Sequence, residues 1–65
     1  MPDFNLFLET LNKMKVPYTT YKPEIFVNHK PAFHEVRVTC DRGSTKFGFF
    51  FDQAGKYIGK QERNL

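Results

Sequence analysis

Four phenylalanines stand within five positions in the second half of the chain, and this run constrains the fold more than any other feature. They are Phe47, Phe49, Phe50 and Phe51. Residues 45–51 are predicted to form a strand, and successive side chains of a strand point to opposite faces of its sheet. Phe50 is therefore expected to point away from the face that carries the other three rings. Whichever face meets the rest of the core, at least one large aromatic ring points the other way.

An amphipathic helix is predicted over residues 3–15. Its apolar stripe consists of Phe4, Phe7, Leu8, Leu11 and Met14. These residues follow one another in steps of three, one, three and three, which is the spacing of one helical face. Asp3 is a favourable N-cap, and Pro17 disfavours helical geometry at Val16, so the helix is expected to stop there. Leu6 falls off the stripe and is expected to be an isolated exposed side chain.

The remaining segments are rich in β-forming residues and are separated by turn residues. Strands are predicted at about residues 18–27, 33–40, 45–51 and 56–61. Pro23 cannot donate to a ladder, so the first strand is expected to be a bent edge strand or a strand followed by a loop. Residues 28–32 are predicted to form a turn, and the polar tail 61–65 is expected to fray.

The predicted fold class is α+β, in a single small domain over residues 1–65. One N-terminal amphipathic helix would pack on a three- to four-stranded antiparallel β-meander, giving a two-layer sandwich. The second face of that sheet would then be bare unless a partner covers it.

The size of the chain and its single cysteine exclude several classes of protein. A 65-residue domain buries only about 60% of its unfolded surface, which leaves little room inside the core for a ligand cavity of roughly 300 Å³ or more. No apolar run approaches the roughly 20 residues that span a bilayer. Cys40 has no partner for an intrachain disulfide. The N-terminal residues lack the basic and long apolar parts of a signal peptide, so a cytoplasmic location is expected.

The formal net charge of +3 comes entirely from the last third of the chain. Residues 1–41 hold five basic and five acidic side chains, whereas residues 42–65 hold five basic and two acidic ones. A basic stripe can meet phosphate groups or an acidic protein face. Ordinary solubility charge is the alternative interpretation.

Neither catalysis nor metal binding is predicted. The candidate metal ligands are His29, His34 and Cys40, but the last two lie about 20 Å apart along one strand. Ligands of one zinc ion must each come within roughly 2.0–2.3 Å of it. As a nucleophile, Cys40 alternates inward with apolar residues, and Ser44 lies in neither a Gly-x-Ser-x-Gly motif nor a phosphate loop. We therefore expect no enzyme, no cofactor, no metal and no small-molecule substrate.

Two segments resemble parts of RNA-binding families. Residues 46–51, Lys-Phe-Gly-Phe-Phe-Phe, resemble part of the aromatic strand of RNA-recognition motifs, whose rings stack on bases. The helix–strand–strand–strand order is similar to the first part of a double-stranded-RNA-binding domain, and this likeness implies RNA contacts at Glu9 and His29. The first family's consensus glycine and the second family's lysine-rich helix are absent, so the chain is assigned to neither.

The candidate binding site is the outer face of the predicted sheet, around Phe50. The hairpin register places Phe50 opposite either Ile58 or Tyr57, and each option sets a second apolar side chain beside it. A rim of cations is expected around these anchors, formed by Arg37, Lys46, Lys56 and Lys60. Central aromatic side chains carry most of the energy of protein interfaces, and rim charges mainly steer association. Phe50→Ala is expected to weaken binding and to leave the fold intact.

The predicted function is that of a small non-enzymatic binding module that acts through this open sheet face on a macromolecular partner. A protein is the favoured partner, and no membrane partner is expected. A free-standing domain of this size resembles, in general character, the accessory and inhibitor proteins that phages and mobile elements encode. One alternative is a nucleic-acid-binding module that uses the sheet aromatics and the basic C-terminal third. Another is a homodimeric structural protein.

Overall fold

The chain begins with helix α1 (Asp3–Lys13). The computed structural model describes residues 3–40, 43 and 45–64. The helix ends two residues before the predicted limit, because a C-terminal cap closes it ahead of Pro17. Val16 N donates to Leu11 O at 2.9 Å, and Lys15 N donates to Asn12 O at 3.2 Å. Lys15 has a φ of 57°, so the turn is a Schellman motif with a left-handed residue after the helix. Met14, predicted to lie on the apolar stripe, is consequently outside the helix and exposed.

Among the described residues, six strands follow the helix and form two sheets. They are β1 (Tyr18–Tyr21), β2 (Phe26–Val27), β3 (Lys30–Pro31), β4 (His34–Cys40), β5 (Thr45–Phe51) and β6 (Tyr57–Asn64). Four of them form one sheet in the order β1-β4-β5-β6, and β2 pairs with β3 in a second. All pairs are antiparallel. The α+β prediction is thus confirmed. No helix within residues 3–40, 43 and 45–64 is long and apolar enough to cross a membrane.

The C-terminal segment does not fray as expected, because β6 pairs with β5 along its length. Thr45 lies opposite Asn64, and Lys46 lies opposite Arg63. The prediction of a frayed tail is therefore wrong for residues 61–64, and Leu65 lies outside the described residues. The polar composition of this segment is that of an edge strand, in which charged side chains are common.

The predicted strand 18–27 is divided, because residues 22–25 around Pro23 leave the sheet. The chain then turns back in a β2–β3 hairpin that the sequence interpretation treated as a turn. Asn28 and His29 form its two-residue loop, with φ values of 52° and 66°. Positive φ at both positions is the mark of a type I′ turn, whose twist matches that of a hairpin.

The large sheet has a separate apolar cluster on each face. The cluster under α1 contains the buried residues Leu11, Val36, Val38 and Phe51. The cluster on the opposite face contains Val27, Ala32, Phe50 and Ile58. Phe50 therefore points away from the helix, as the alternation predicts. The hairpin, however, lies over that end of the sheet and supplies part of the second cluster.

One contact with the backbone of β6 holds the hairpin in place. Asn28 Nδ2 donates to Ile58 O at 2.7 Å. The site lies at an irregularity of the β5–β6 ladder, where Phe51 is opposite Tyr57 but Phe50 is opposite Gly59. Ile58 is thus an extra residue, which lets its side chain join Phe50 while Tyr57 stays on the helix side.

Candidate binding surfaces

The predicted anchors Phe50 and Ile58 are buried rather than open to a partner. Phe50 is 1% exposed and Ile58 is 8% exposed. Val27 and Ala32, which come from the hairpin and the residue after it, cover them. The expectation of a bare aromatic patch is therefore wrong. Its physical cause is the break at Pro23, which frees residues 22–33 to fold back over the sheet.

Tyr57 lies on the opposite side of the sheet from Phe50. Its ring makes an edge contact with Phe51 at a centroid distance of 5.7 Å. Its backbone N–H donates to Asp3 Oδ2 at 3.0 Å, which ties the start of α1 to the start of β6. Tyr57 remains 43% exposed, so it is available to a partner, but on the helix side.

The four predicted rim cations do not form one rim. Arg37 and Lys46 share the outer face, since Arg37 is opposite Gly48 and therefore on the side of Lys46. Lys60 is on the helix side, with its Nζ 6.0 Å from the centre of the Phe47 ring. Lys56 is exposed in the turn that precedes β6.

The uncovered part of the outer face is cationic and carries one aromatic ring. We call the side chains of Tyr21, Arg37, Lys46 and Arg63 the cationic face. Lys46 is directly opposite Arg63, which places their Cβ atoms about 4.5–5.5 Å apart. Among the residues that the structure describes, neither forms an ion pair. Sequence reasoning missed Arg63 as a site residue because it predicted that β6 ends at residue 61.

Arg37 is held in place by a carboxylate and an aromatic ring. Its Nε donates to Glu35 Oε2 at 2.9 Å, and its Cζ lies 4.1 Å from the centre of the Tyr21 ring. The hydrogen bond that Arg37 donates to this carboxylate raises the pKa of Arg37 above its usual range. Gly48 leaves room for this carboxylate, since a Cβ there would lie 2.6 Å from Glu35 Oε2. A shallow cleft of about 20 Å³ lies over Gly48, between Arg37 and the Lys46–Arg63 pair.

A larger opening lies on the other side of the sheet, between α1 and strands β5 and β6. We call it the apolar groove. Its volume is about 360 Å³, and it is lined by Asp3, Leu6, Phe7, Thr10, Phe49, Phe51 and Tyr57. Leu6 is 51% exposed at its margin. The residue that was expected to be an isolated exposed side chain therefore belongs to an apolar surface.

The groove exists because one short helix covers only part of a four-stranded sheet. Phe7 packs between the Phe49 and Phe51 rings, at centroid distances of 4.9 and 5.7 Å. Leu11 packs on the central strands in the same cluster. On the helix side of β6, Tyr57 and Lys60 are exposed.

The hairpin presents a second exposed apolar feature. Phe26, in the hairpin, is 74% exposed. Ile25, which precedes it, is 42% exposed, and Phe33, which follows the hairpin, is 39% exposed. Lys22 Nζ lies 5.4 Å from the centre of the Phe33 ring. These side chains protrude from the surface, and none of them lines the apolar groove.

No known protein supplies a function for these surfaces. Within residues 3–40, 43 and 45–64, no three His, Cys, Asp or Glu side chains are grouped to hold a metal ion. No family model, no curated protein and no solved structure matches the chain. The functions of these surfaces are therefore inferred from the geometry of this molecule alone.

Proposed function

We propose that this chain is a non-enzymatic binding module whose apolar groove receives an apolar segment of a partner protein. The observation that carries the proposal is the exposure of Leu6 and Tyr57 on either side of a groove of about 360 Å³. The floor between them is formed by rings of the core, Phe49 and Phe51. Exposed apolar side chains that converge on a concave surface are typical of binding sites, whereas scattered ones are not.

Burial of the exposed parts of Leu6 and Tyr57 would contribute to the affinity of a partner for the groove. Full burial of one aliphatic or aromatic side chain is worth about 1.5–3 kcal/mol relative to exposure. Leu6 and Tyr57 are each about half exposed, so a partner that covers both gains part of this amount at each. Tyrosine is also among the residues most often found as binding hot spots.

Charge at the margin of the groove favours an acidic flank on the partner. Lys60 is exposed on the helix side of β6, two strand positions beyond the extra residue Ile58. Asp3, the one acidic residue of the lining, already accepts a hydrogen bond from the Tyr57 backbone. We therefore propose an occupant with apolar side chains for the groove and a carboxylate near Lys60.

The test is affinity capture from the native host with nuclease present, using variants that differ only in where a glutamine is placed. Leu6→Gln changes the groove, Met14→Gln changes an exposed side chain beyond the end of α1, and Phe26→Gln changes the hairpin. Glutamine has a high helix propensity, so the helical change should not unfold α1. We expect a defined protein to be retained by the wild type, Met14→Gln and Phe26→Gln and to be lost from Leu6→Gln.

Three results would contradict the proposal. Loss of the protein from Phe26→Gln alone would assign the contact to the hairpin. Equal retention by all variants would remove the groove from the contact. The third concerns sedimentation of the purified protein. If its apparent mass rose with protein concentration and Leu6→Gln abolished the rise, the occupant of the groove would be a second copy and the protein a homodimer.

A further inference from the structure

The cationic face is the second surface that the molecule leaves uncovered, and it differs in chemistry from the groove. Lys46 and Arg63 lie directly opposite each other on β5 and β6. Like charges that face each other across a ladder destabilise the sheet. In the described residues, no carboxylate is within ion-pair distance of either cation. An anion bound between them would remove this repulsion.

Arg37 extends the positive surface from β5 to β4. Its charge is balanced by Glu35, which is 7% exposed and hydrogen-bonded to it. The net excess of positive charge is therefore carried by Lys46 and Arg63. The Arg37 guanidinium instead packs against one side of the Tyr21 ring, with its Cζ 4.1 Å from the ring centre. Tyr21 is 42% exposed, so part of this ring is open to solvent.

An exposed ring that shares a sheet face with two unpaired cations fits one class of ligand in particular. Tyr21 is on β1 and Arg63 is on β6, three strand positions away in the sheet. Tyr21 is also opposite Glu35, whereas Lys46 and Arg63 lie in the row of Thr39, four residues further along β4. The two backbone positions are therefore about 20 Å apart at the usual strand spacings. Single-stranded nucleic acid offers unpaired bases that stack on aromatic rings and phosphates that meet cations over such a distance. A duplex offers phosphates, but its bases are already stacked. An acidic protein segment offers carboxylates to the cations but no base to stack on the ring.

We infer that the cationic face binds single-stranded nucleic acid, with phosphate groups at Lys46 and Arg63 and a base on Tyr21. This binding goes beyond the proposed protein contact and uses the opposite face of the sheet. The two ligands would therefore be compatible, and the molecule would connect a protein to a nucleic acid. Because the surfaces share none of the named contact residues, either proposal can fail without the other.

The test is titration of a fluorescent single-stranded DNA oligonucleotide at several salt concentrations. The double variant Lys46→Gln/Arg63→Gln removes both phosphate contacts. A matched control, Lys13→Gln/Lys56→Gln, removes the same charge from other parts of the surface. Each phosphate neutralised on a single strand contributes about −0.7 to the slope of log affinity against log salt. We expect the double variant to reduce this slope by about 1.4 and the control to leave it near the wild-type value.

A third variant, Tyr21→Leu, tests the stacked base. Stacking on an aromatic ring contributes the equivalent of about tenfold in affinity per base. We therefore expect about tenfold weaker binding with an unchanged salt slope. Circular dichroism of each variant will verify that the sheet is retained.

Four outcomes would overturn the inference. The first is an absence of binding by the wild type at low salt. The second is an equal reduction of the salt slope in the control variant, which would show that binding depends only on the net charge of the protein. Equal or tighter binding of a duplex of the same sequence would contradict the role of an unpaired base. Equally effective competition by polyglutamate would assign the face to an acidic protein segment.

Discussion

At the scale of single residues, His34 shows how the packing of the helix affects ionisation. Its ring is stacked on Phe4 at a centroid distance of 4.1 Å and makes an edge contact with Phe33 at 4.7 Å. Burial lowers the pKa of His34, and the positive charge of Lys22 lowers it further. The folded protein therefore disfavours the protonated imidazole more than the unfolded chain does.

This shift predicts a loss of stability at mildly acidic pH. Where the pKa is lower in the folded state, the unfolded state binds more protons, so the free energy of unfolding falls as pH falls. The loss begins near the ordinary histidine pKa of about 6.5 and is complete below the pKa of the folded state. Urea unfolding of the wild type and His34→Gln from about pH 8 to pH 5 measures it. The variant should lose less stability over this range. If the free energy of unfolding fell by the same amount in the two proteins between about pH 8 and pH 5, the assignment of this loss to His34 would be wrong.

At the scale of elements, the β2–β3 hairpin decides which part of the sheet is open. Its contact with β6 requires a glycine at position 59, where φ is 152°. A Cβ at this position would lie 2.7 Å from Asn28 Nδ2 and 2.9 Å from Val27 Cγ1. Both atoms belong to the hairpin, so a side chain here would push the hairpin away from the sheet.

Gly59→Ala is therefore expected to destabilise the protein by about 2 kcal/mol, through backbone strain and the displaced hairpin. Gln61→Ala, at an exposed position on the same strand, is expected to change the free energy of unfolding by less than about 0.5 kcal/mol. Urea unfolding curves of both variants measure the difference. If Gly59→Ala were as stable as the wild type, the hairpin would not be held against β6 as described.

The periodic elements could be predicted from the sequence, but the hairpin and the groove could not. Helical spacing and strand alternation identify α1, β4 and β5, because each buries a regular set of side chains. The hairpin turn uses Asn28 and His29, and the usual signal for such a turn is an Asn-Gly or similar pair. The groove depends on Tyr57 lying on the helix side, which the irregularity at Phe50 and Phe51 decides. Such a register shift leaves no periodic trace in the sequence.

At the scale of the whole molecule, the chain is a thin slab of 31 × 26 × 15 Å with two chemically different faces. Its accessible surface is 4867 Å². A protein interface of ordinary size covers about 800 Å² of each partner, which is roughly one sixth of this surface. A protein bound in the apolar groove would therefore leave the cationic face uncovered. The thinness of the slab also means that each face has only a small core beneath it.

The burial of Phe50 beneath the hairpin removes the outer face as an aromatic docking surface and leaves the groove as the apolar one. The most direct test is urea unfolding of Phe50→Ala beside the matched variant Phe26→Ala, whose ring is 74% exposed. We predict that Phe50→Ala loses about 3–5 kcal/mol, much of the stability of a domain of this size, or is unfolded without urea. Phe26→Ala should lie within about 0.5 kcal/mol of the wild type. A Phe50→Ala protein that unfolds at the wild-type urea concentration would contradict the account and return the outer face to the list of open surfaces.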